Sequence, residues 1–388
     1  MKHLKTTLLL SYICIASFSA AVITPALPAI GHDFNISQAT VSWIVSIFLI
    51  GYVVGQLVYG PIAKRLNALN ALRIGLLINL VGILICLFGA WSQNYGVLLA
   101  GRLITALGAA SGLACTFMLM HDLLGEHEFK QAMSHSIVSF TLGIGLAVLI
   151  GGVITQYLHW QVCFWVLLIH GGLMLALTWC FQVRQQVKQR LYPLFIIRDY
   201  LQVLRNWRLL IFSLVVGLMS AFSYGYSAAA PIYAHVQLHL SAGAYGYWNL
   251  INMIGMLGGG LLSAYCMKRF GAKNLLVIGC LGMLPCCLSL LLIAITHAAS
   301  PWWFFITTMF AYLYGGFLFP AGSYFALRSI TDKANGSSMM SFVNMLSAVL
   351  SVIIIGYLPL AMILSFALVL SGFLVIVVVL SFLSFKMS

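Results

Sequence analysis

The chain has 388 residues, 62% of them hydrophobic and only 6% charged, against roughly 25% charged in soluble domains. That excludes a soluble globule, and the lack of short alternating segments of about ten residues excludes a membrane β-barrel. The formal charge of +13 does not mark a nucleic-acid binder either, because the basic residues lie between apolar runs instead of forming polar patches. The partner this composition demands is a lipid bilayer.

Apolar runs of about 20 residues recur and predict twelve membrane-spanning helices at 6–30, 40–62, 72–91, 96–120, 134–157, 160–182, 209–234, 243–266, 275–297, 302–326, 336–357 and 359–384. The first begins MKHLKTTLLLSYICIASFSA and shares the basic start and small residues of a signal peptide. Its apolar run continues to Ile30, however, which predicts a retained helix. The only long polar connection, 183–208, splits the spans six and six. The expected domains are therefore a bundle at 1–182, a cytoplasmic linker at 183–208 and a second bundle at 209–388.

With the N-terminus inside, 18 of the 19 Lys and Arg residues fall on the inner side and the last, Arg102, lies within a span. This asymmetry predicts cytoplasmic N- and C-termini in a multi-pass protein of a bacterial-type cytoplasmic (inner) membrane. The nine cysteines sit mostly inside apolar runs without ligand spacing, so packing is their expected role. His235 and His239 lie four apart with no third ligand in reach of the pattern. No metal and no cofactor are expected.

Shifting the chain by 204 residues aligns GQLVYGPIAKRLNALNALRIG (55–75) with GGLLSAYCMKRFGAKNLLVIG (259–279), with 9 of 21 positions identical. Both copies join the second and third helix of a six-helix half. An even number of spans separates them, so the halves are parallel repeats, an arrangement that places a binding site near the bilayer midplane.

These residues resemble the major facilitator superfamily, and within it the twelve-helix drug:proton antiporters of the bicyclomycin/chloramphenicol-resistance type. The similarity runs in order through TPALPAI (24–30), GQLVYGPIAKRL (55–66), LLAGRLITALGAASG (98–112), HDLLGEHEFKQAMS (121–134) and GIGLAVLIGGVI (143–154). It implies an all-α fold of two pseudo-symmetric six-helix halves. It also implies a monomer that moves a small molecule, with protons as the coupling ion. Several positions depart from the family pattern. The family's first-helix acid falls at Ala21, the loop-motif acid at Lys64, the loop glycine at Asn67, and the antiporter Gly-Pro pair at Ala147-Val148. Arg102, Asp122, Gly151 and Gly152 match it.

The remaining polar groups define the candidate site. Arg102 is the only full charge inside a span, and burying it is costly enough that it must face protein or a water cavity. The six acids, Asp33, Asp122, Glu126, Glu128, Asp199 and Asp332, all lie at or beyond span ends, so no carboxylate relay crosses the membrane. His170 is the only mid-span group that ordinarily titrates near neutral pH. Arg102 and His170 are therefore the proton-coupling candidates. The resemblance places helices 1, 4, 7 and 10 around the cavity. Tyr224, Tyr226, Tyr312 and Tyr314, with the amides Gln56, Asn249, Asn252 and Asn344, predict an aromatic, largely uncharged pocket around Arg102. Gly60, Lys64, Arg65, Asp122, Gly151 and Gly152 are the gating candidates.

The function expected is secondary transport by alternating access, most directly proton-linked efflux of a small amphipathic drug or metabolite. The alternative is uptake of a siderophore-like or other metabolite. A membrane enzyme is not expected: the spans hold no acids or metal ligands, and His127-Glu128 has no second histidine at catalytic spacing. In the resembled family the loop acid latches the inner gate against the positive N-terminal end of the eleventh helix. Lys64 puts a positive charge there instead. Lys64→Asp is therefore expected to lower cysteine labelling from the inner face; labelling equal to or above wild type contradicts the latch reading.

Overall fold

The computed structural model describes residues 2–181, 205–328, 330 and 333–386, without the side chains of 2–5, 64, 126, 127, 130–137 and 333–335. The first predicted span is not one helix. It runs as α1 (Lys2–Ile13), α2 (Ile15–Ala21), a 3-10 turn (Thr24–Ala26) and α3 (Leu27–Asp33). Pro25 has no N–H to continue the ladder, and the hydroxyl of Thr24 donates to the Ala21 carbonyl at 2.8 Å instead. The next elements are α4 (Gln38–Val41), α5 (Trp43–Leu66), α6 (Ala68–Trp91), α7 (Tyr95–Leu123), α8 (Glu126–Tyr157) and α9 (Val162–Leu177).

Residues 182–204, which include most of the expected linker, lie outside the described residues. Beyond them come α10 (Trp207–Val236), α11 (Ala242–Trp248), α12 (Leu250–Thr296), α13 (Pro301–Arg328), α14 (Lys333–Tyr357) and α15 (Met362–Lys386). Eleven helical stretches among the described residues are long and apolar enough to cross a membrane. One of them holds two predicted spans. α12 has 47 residues, about 70 Å at 1.5 Å per residue, which is more than two crossings of a ~30 Å hydrocarbon layer. Within it two helices meet at a kink at Gly271, with φ 76 and ψ 166. The two predicted spans are both present, and the connection expected at 267–274 is shortened to that kink.

The contacts form two compact units. One comprises Met1–Ser37, Trp43–Leu191 and Ala242–Gly246; the other comprises Gln38–Ser42, Tyr192–Ser241 and Tyr247–Ser388. The five-residue pieces that depart from a simple division are themselves 204 positions apart, so the repeat extends to the edges of the packing units. In the first unit a Cβ on Gly152 of α8 would stand 2.5 Å from the Ala242 carbonyl. In the second, a Cβ on Gly356 of α14 would stand 2.7 Å from the Ser42 hydroxyl. Those two glycines are 204 positions apart as well.

Small residues set the close approach of helices within each unit, as expected where lipid supplies no hydrophobic drive for helices to associate. Gly101 of α7 lies against the Cys86 backbone of α6, and Gly259 of α12 against the Leu313 carbonyl of α13. Side-chain hydrogen bonds tie the first unit across its helices. Tyr12 donates to the Met174 carbonyl at 2.8 Å, Ser139 to the Leu10 carbonyl at 2.7 Å, and Asn79 to the Thr105 carbonyl at 2.9 Å.

The repeat is closest at the helix-to-helix turn. Asn67 separates α5 from α6 with φ 78 and ψ 158, nearly the backbone of Gly271, its equivalent 204 residues on. This region belongs essentially to glycine, and other residues pay of order 1–3 kcal/mol to hold it. Asn67 offsets part of that by capping α6, its side-chain oxygen accepting from the Asn70 N–H at 2.8 Å. Glycine at an N-cap loses only a few tenths of a kcal/mol against asparagine. Asn67→Gly is therefore expected to stabilise the protein by about 1 kcal/mol in thermal unfolding, and Gly271→Asn to destabilise it. An Asn67→Gly variant that melts lower than wild type would remove the strain argument.

Candidate functional site

In the first unit the site is built on the interruption of the first helix. The last four carbonyls of a helix have no partner of their own. In α2 the Phe18 carbonyl is taken by the Val22 N–H at 3.0 Å and that of Ala21 by Thr24. Ser19 accepts from Arg102 Nη1 of α7 at 3.0 Å. A cation at the negative end of a helix is favoured. The guanidinium lies 4.4 Å over the Phe48 ring of α5, whose π face adds further attraction. Arg102 is 1% exposed, and its Nε has no hydrogen-bond partner. The Ser19 hydroxyl, also buried, has none either.

His170 of α9 places its ring 4.7 Å from that of Phe18. The two proton-coupling candidates thus meet α2 at adjacent residues, Phe18 and Ser19. Glycines of α8 admit the two breaks of the first helix. A Cβ on Gly143 would press on Cys14, where α1 gives way to α2, and one on Gly151 would collide with the Val22 carbonyl, where α2 ends. Gly151 and Gly152 therefore face different partners, Val22 and Ala242. Gln56 of α5 is half-buried with an unpartnered side-chain oxygen.

The second unit holds a neutral network. Tyr226 of α10 donates to the Asn249 side-chain oxygen at 2.9 Å and accepts from the Asn252 amide at 2.8 Å. Asn252 also donates to Asn249 at 3.0 Å and accepts from the Thr308 hydroxyl of α13 at 2.8 Å. Around it the Phe222 and Tyr312 rings meet edge-on at 4.7 Å, and Tyr226 stacks on Phe304 at 6.0 Å. Asn249 occupies the turn between α11 and α12, so the break in that helix is held by the side chain of Tyr226.

The structure does not bring all the predicted aromatic and amide residues together. Tyr312 joins the Tyr226 cluster, whereas Tyr314, about 200° further round the same helix, lies over Gly282 of α12 with Phe310 and Phe317 beside it. Tyr224 is half-buried. Asn344 of α14 is 4% exposed, and its side-chain oxygen has no partner.

The expected loop residues Gly60 and Arg65 lie in the last two turns of α5, where Gly60 has open space around its Cβ position and Arg65 is exposed. The Asp122 carboxylate lies 3.7 Å from the His121 ring nitrogen. The side chain of Lys64 lies outside the described residues. No group of three or more potential metal ligands occurs among the described residues. Sequence reasoning missed Phe48, Ser19 and Thr308. Phe48 and Thr308 carry no pattern that marks them, and Ser19 acts through its carbonyl, which only the nearby Pro25 hints at.

Two compact helical units with a sequence repeat between them, and Arg102 buried in the first, are the build of a membrane transporter. The Major Facilitator Superfamily model matches residues 9–354, and the chain belongs to that family. Among curated proteins it is similar to a bicyclomycin resistance protein homolog of Haemophilus influenzae, 24% identical over 271 residues, 67% of this chain and 66% of that protein. It is also similar to the efflux pump hmp6 of Hypomyces subiculosus, 28% identical over 180 residues, 45% of this chain and 31% of that protein. The chain therefore spans just under two thirds of the bacterial relative and about a third of the fungal one.

Its fold is similar to that of the xylose transporter XylE from E. coli in an inward open conformation. There the TM-score is 0.75 at 14% identity, covering 97% of this chain and 95% of that one. The nucleoside transporter NupG gives 0.72 at 16% identity, covering 98% and 99%.

The second-unit network yields a differential expectation. Asn252→Ala removes three hydrogen bonds at once, leaving the Tyr226 hydroxyl its bond to Asn249 and the Thr308 hydroxyl its bond to the Phe305 carbonyl at 3.2 Å. It is expected to cost about 1–3 kcal/mol. Tyr226→Phe leaves the Asn249–Asn252 and Thr308–Asn252 bonds in place and is expected to cost less. Unfolding midpoints in detergent check the order, and equal losses would mean that the four groups are not one network.

Proposed function

We propose that the chain exports a small amphipathic organic molecule across the cytoplasmic membrane by alternating access, with the N-terminus on the cytoplasmic side. The names of its bacterial and fungal relatives support export, and the basic residues between spans support the orientation. The observation that carries the reading is Arg102, buried in a span with a single hydrogen bond to the protein. A cation left this under-satisfied is costly in a membrane interior, and a substrate group that completes its donors would bind strongly. Gln56, Tyr224, Tyr226, Tyr312, Tyr314, Asn249, Asn252 and Asn344 remain the proposed substrate-contacting set. Of these, Tyr226, Asn249 and Asn252 also hold the helix break of the second unit.

A proton link, in this reading, runs through Arg102 and His170, both of which touch α2. Arg102→Ala is expected to lower transport in proteoliposomes by at least about tenfold, the loss of ~1.4 kcal/mol or more of binding. Unimpaired transport by a folded Arg102→Ala protein would remove that residue from the site. His170→Gln is expected to alter the pH profile of transport, and an unchanged profile would take His170 out of the coupling path. Imposing pH and potential gradients in both directions separates export from uptake.

A further inference from the structure

We infer that the group Arg102 takes from its substrate is an anion, a carboxylate or similar acid on an amphipathic organic body, and that the membrane potential moves it outward. The inference rests on the export reading and names the substrate class at the same site.

A guanidinium offers five N–H donors in a planar fork. In Arg102 the Nη1 side is engaged by the Ser19 carbonyl, and Nε is unpartnered. The edge formed by Nε and Nη2 is therefore the one left over, and that edge grips a carboxylate side-on with two parallel hydrogen bonds. The Ser19 hydroxyl beside the engaged carbonyl is a further buried donor without a partner. Phe48 supplies a ring face and no counter-charge.

Among the described residues no carboxylate pairs with Arg102. All six carboxylates of the chain lie at or beyond the ends of the predicted spans, and Ala21, two residues from Ser19, brings no charge to the first helix. A buried cation with no counter-ion repels a cationic solute and binds an anionic one more strongly than its neutral counterpart. The same absence accounts for the driving force. An anion leaving a cell that is negative inside moves down the electrical gradient, so its export does not require the membrane carboxylate relay that this chain lacks.

The test uses three probes with one ring and different charge: 1-naphthaleneacetate, 1-naphthaleneacetamide and 1-naphthylmethylammonium. Titration and thermal shift of the purified full chain in non-ionic detergent are expected to show the carboxylate binding at least about tenfold tighter than the amide, with the ammonium weakest. Arg102→Gln is expected to erase the preference between carboxylate and amide, and Arg102→Lys to retain it at lower affinity. The Lys variant keeps the comparison decisive if the Gln variant folds poorly. Failure of the carboxylate to bind, an amide or ammonium that binds as tightly, or a preference that survives Arg102→Gln would each overturn the assignment.

In proteoliposomes at equal pH, a potassium gradient of about tenfold set by valinomycin should drive the carboxylate in the direction set by the potential, and reversing the gradient should reverse the flux. Movement of the amide without the carboxylate would leave the export reading standing and remove the anion. Carboxylate binding through Arg102 with no probe moved would leave the anion site and remove the export reading.

Discussion

In a hydrocarbon layer every polar group has to find its partner inside the protein, and the bond from Arg102 to the Ser19 carbonyl is where this chain meets that demand most sharply. For the carbonyl to be available, α2 has to end near it. For α2 to end there, Pro25 has to follow and Thr24 has to satisfy the Ala21 carbonyl. For the interrupted helix to pack, α8 has to present glycine at the Cys14 and Val22 breaks. The irregular first helix, the small residues of α8 and the position of α7 are thus parts of one solution to burying a single charge.

The second unit solves a related problem without charge. Its break at Asn249 is held by amide and hydroxyl groups that satisfy one another, under a layer of aromatic rings. Neutral hydrogen bonds of this kind cost little to bury once complete, whereas a guanidinium remains demanding even with a carbonyl and a ring beside it. The two units share a backbone plan and differ in how much electrostatic work their interiors have left to do.

Much of this was legible beforehand because the signals were physical and repeated. Long apolar runs mark spans whatever their exact residues, and a lone arginine in such a run has to be buried among partners. Three features escaped for equally physical reasons. Main-chain acceptors such as Ser19 O carry no residue identity, so a sequence search for acids around Arg102 finds nothing. Tyr312 and Tyr314 look equivalent in the string MFAYLYGG, yet two positions along a helix is more than half a turn, and the rings part company. The connection expected at 267–274 shortened to a kink because one glycine with positive φ redirects the chain between two helices.

The matched turns at Asn67 and Gly271 separate the path of the backbone from the side chain that follows it. The same dihedral angles occur on both sides, although only one copy carries the residue that holds them at no cost. At Asn67 the backbone takes this path without the side chain best suited to it, and a capping bond takes up part of the difference. Each half is in effect a naturally occurring variant of the other, and comparing them position by position separates what the architecture requires from what a half can surrender while its twin keeps it.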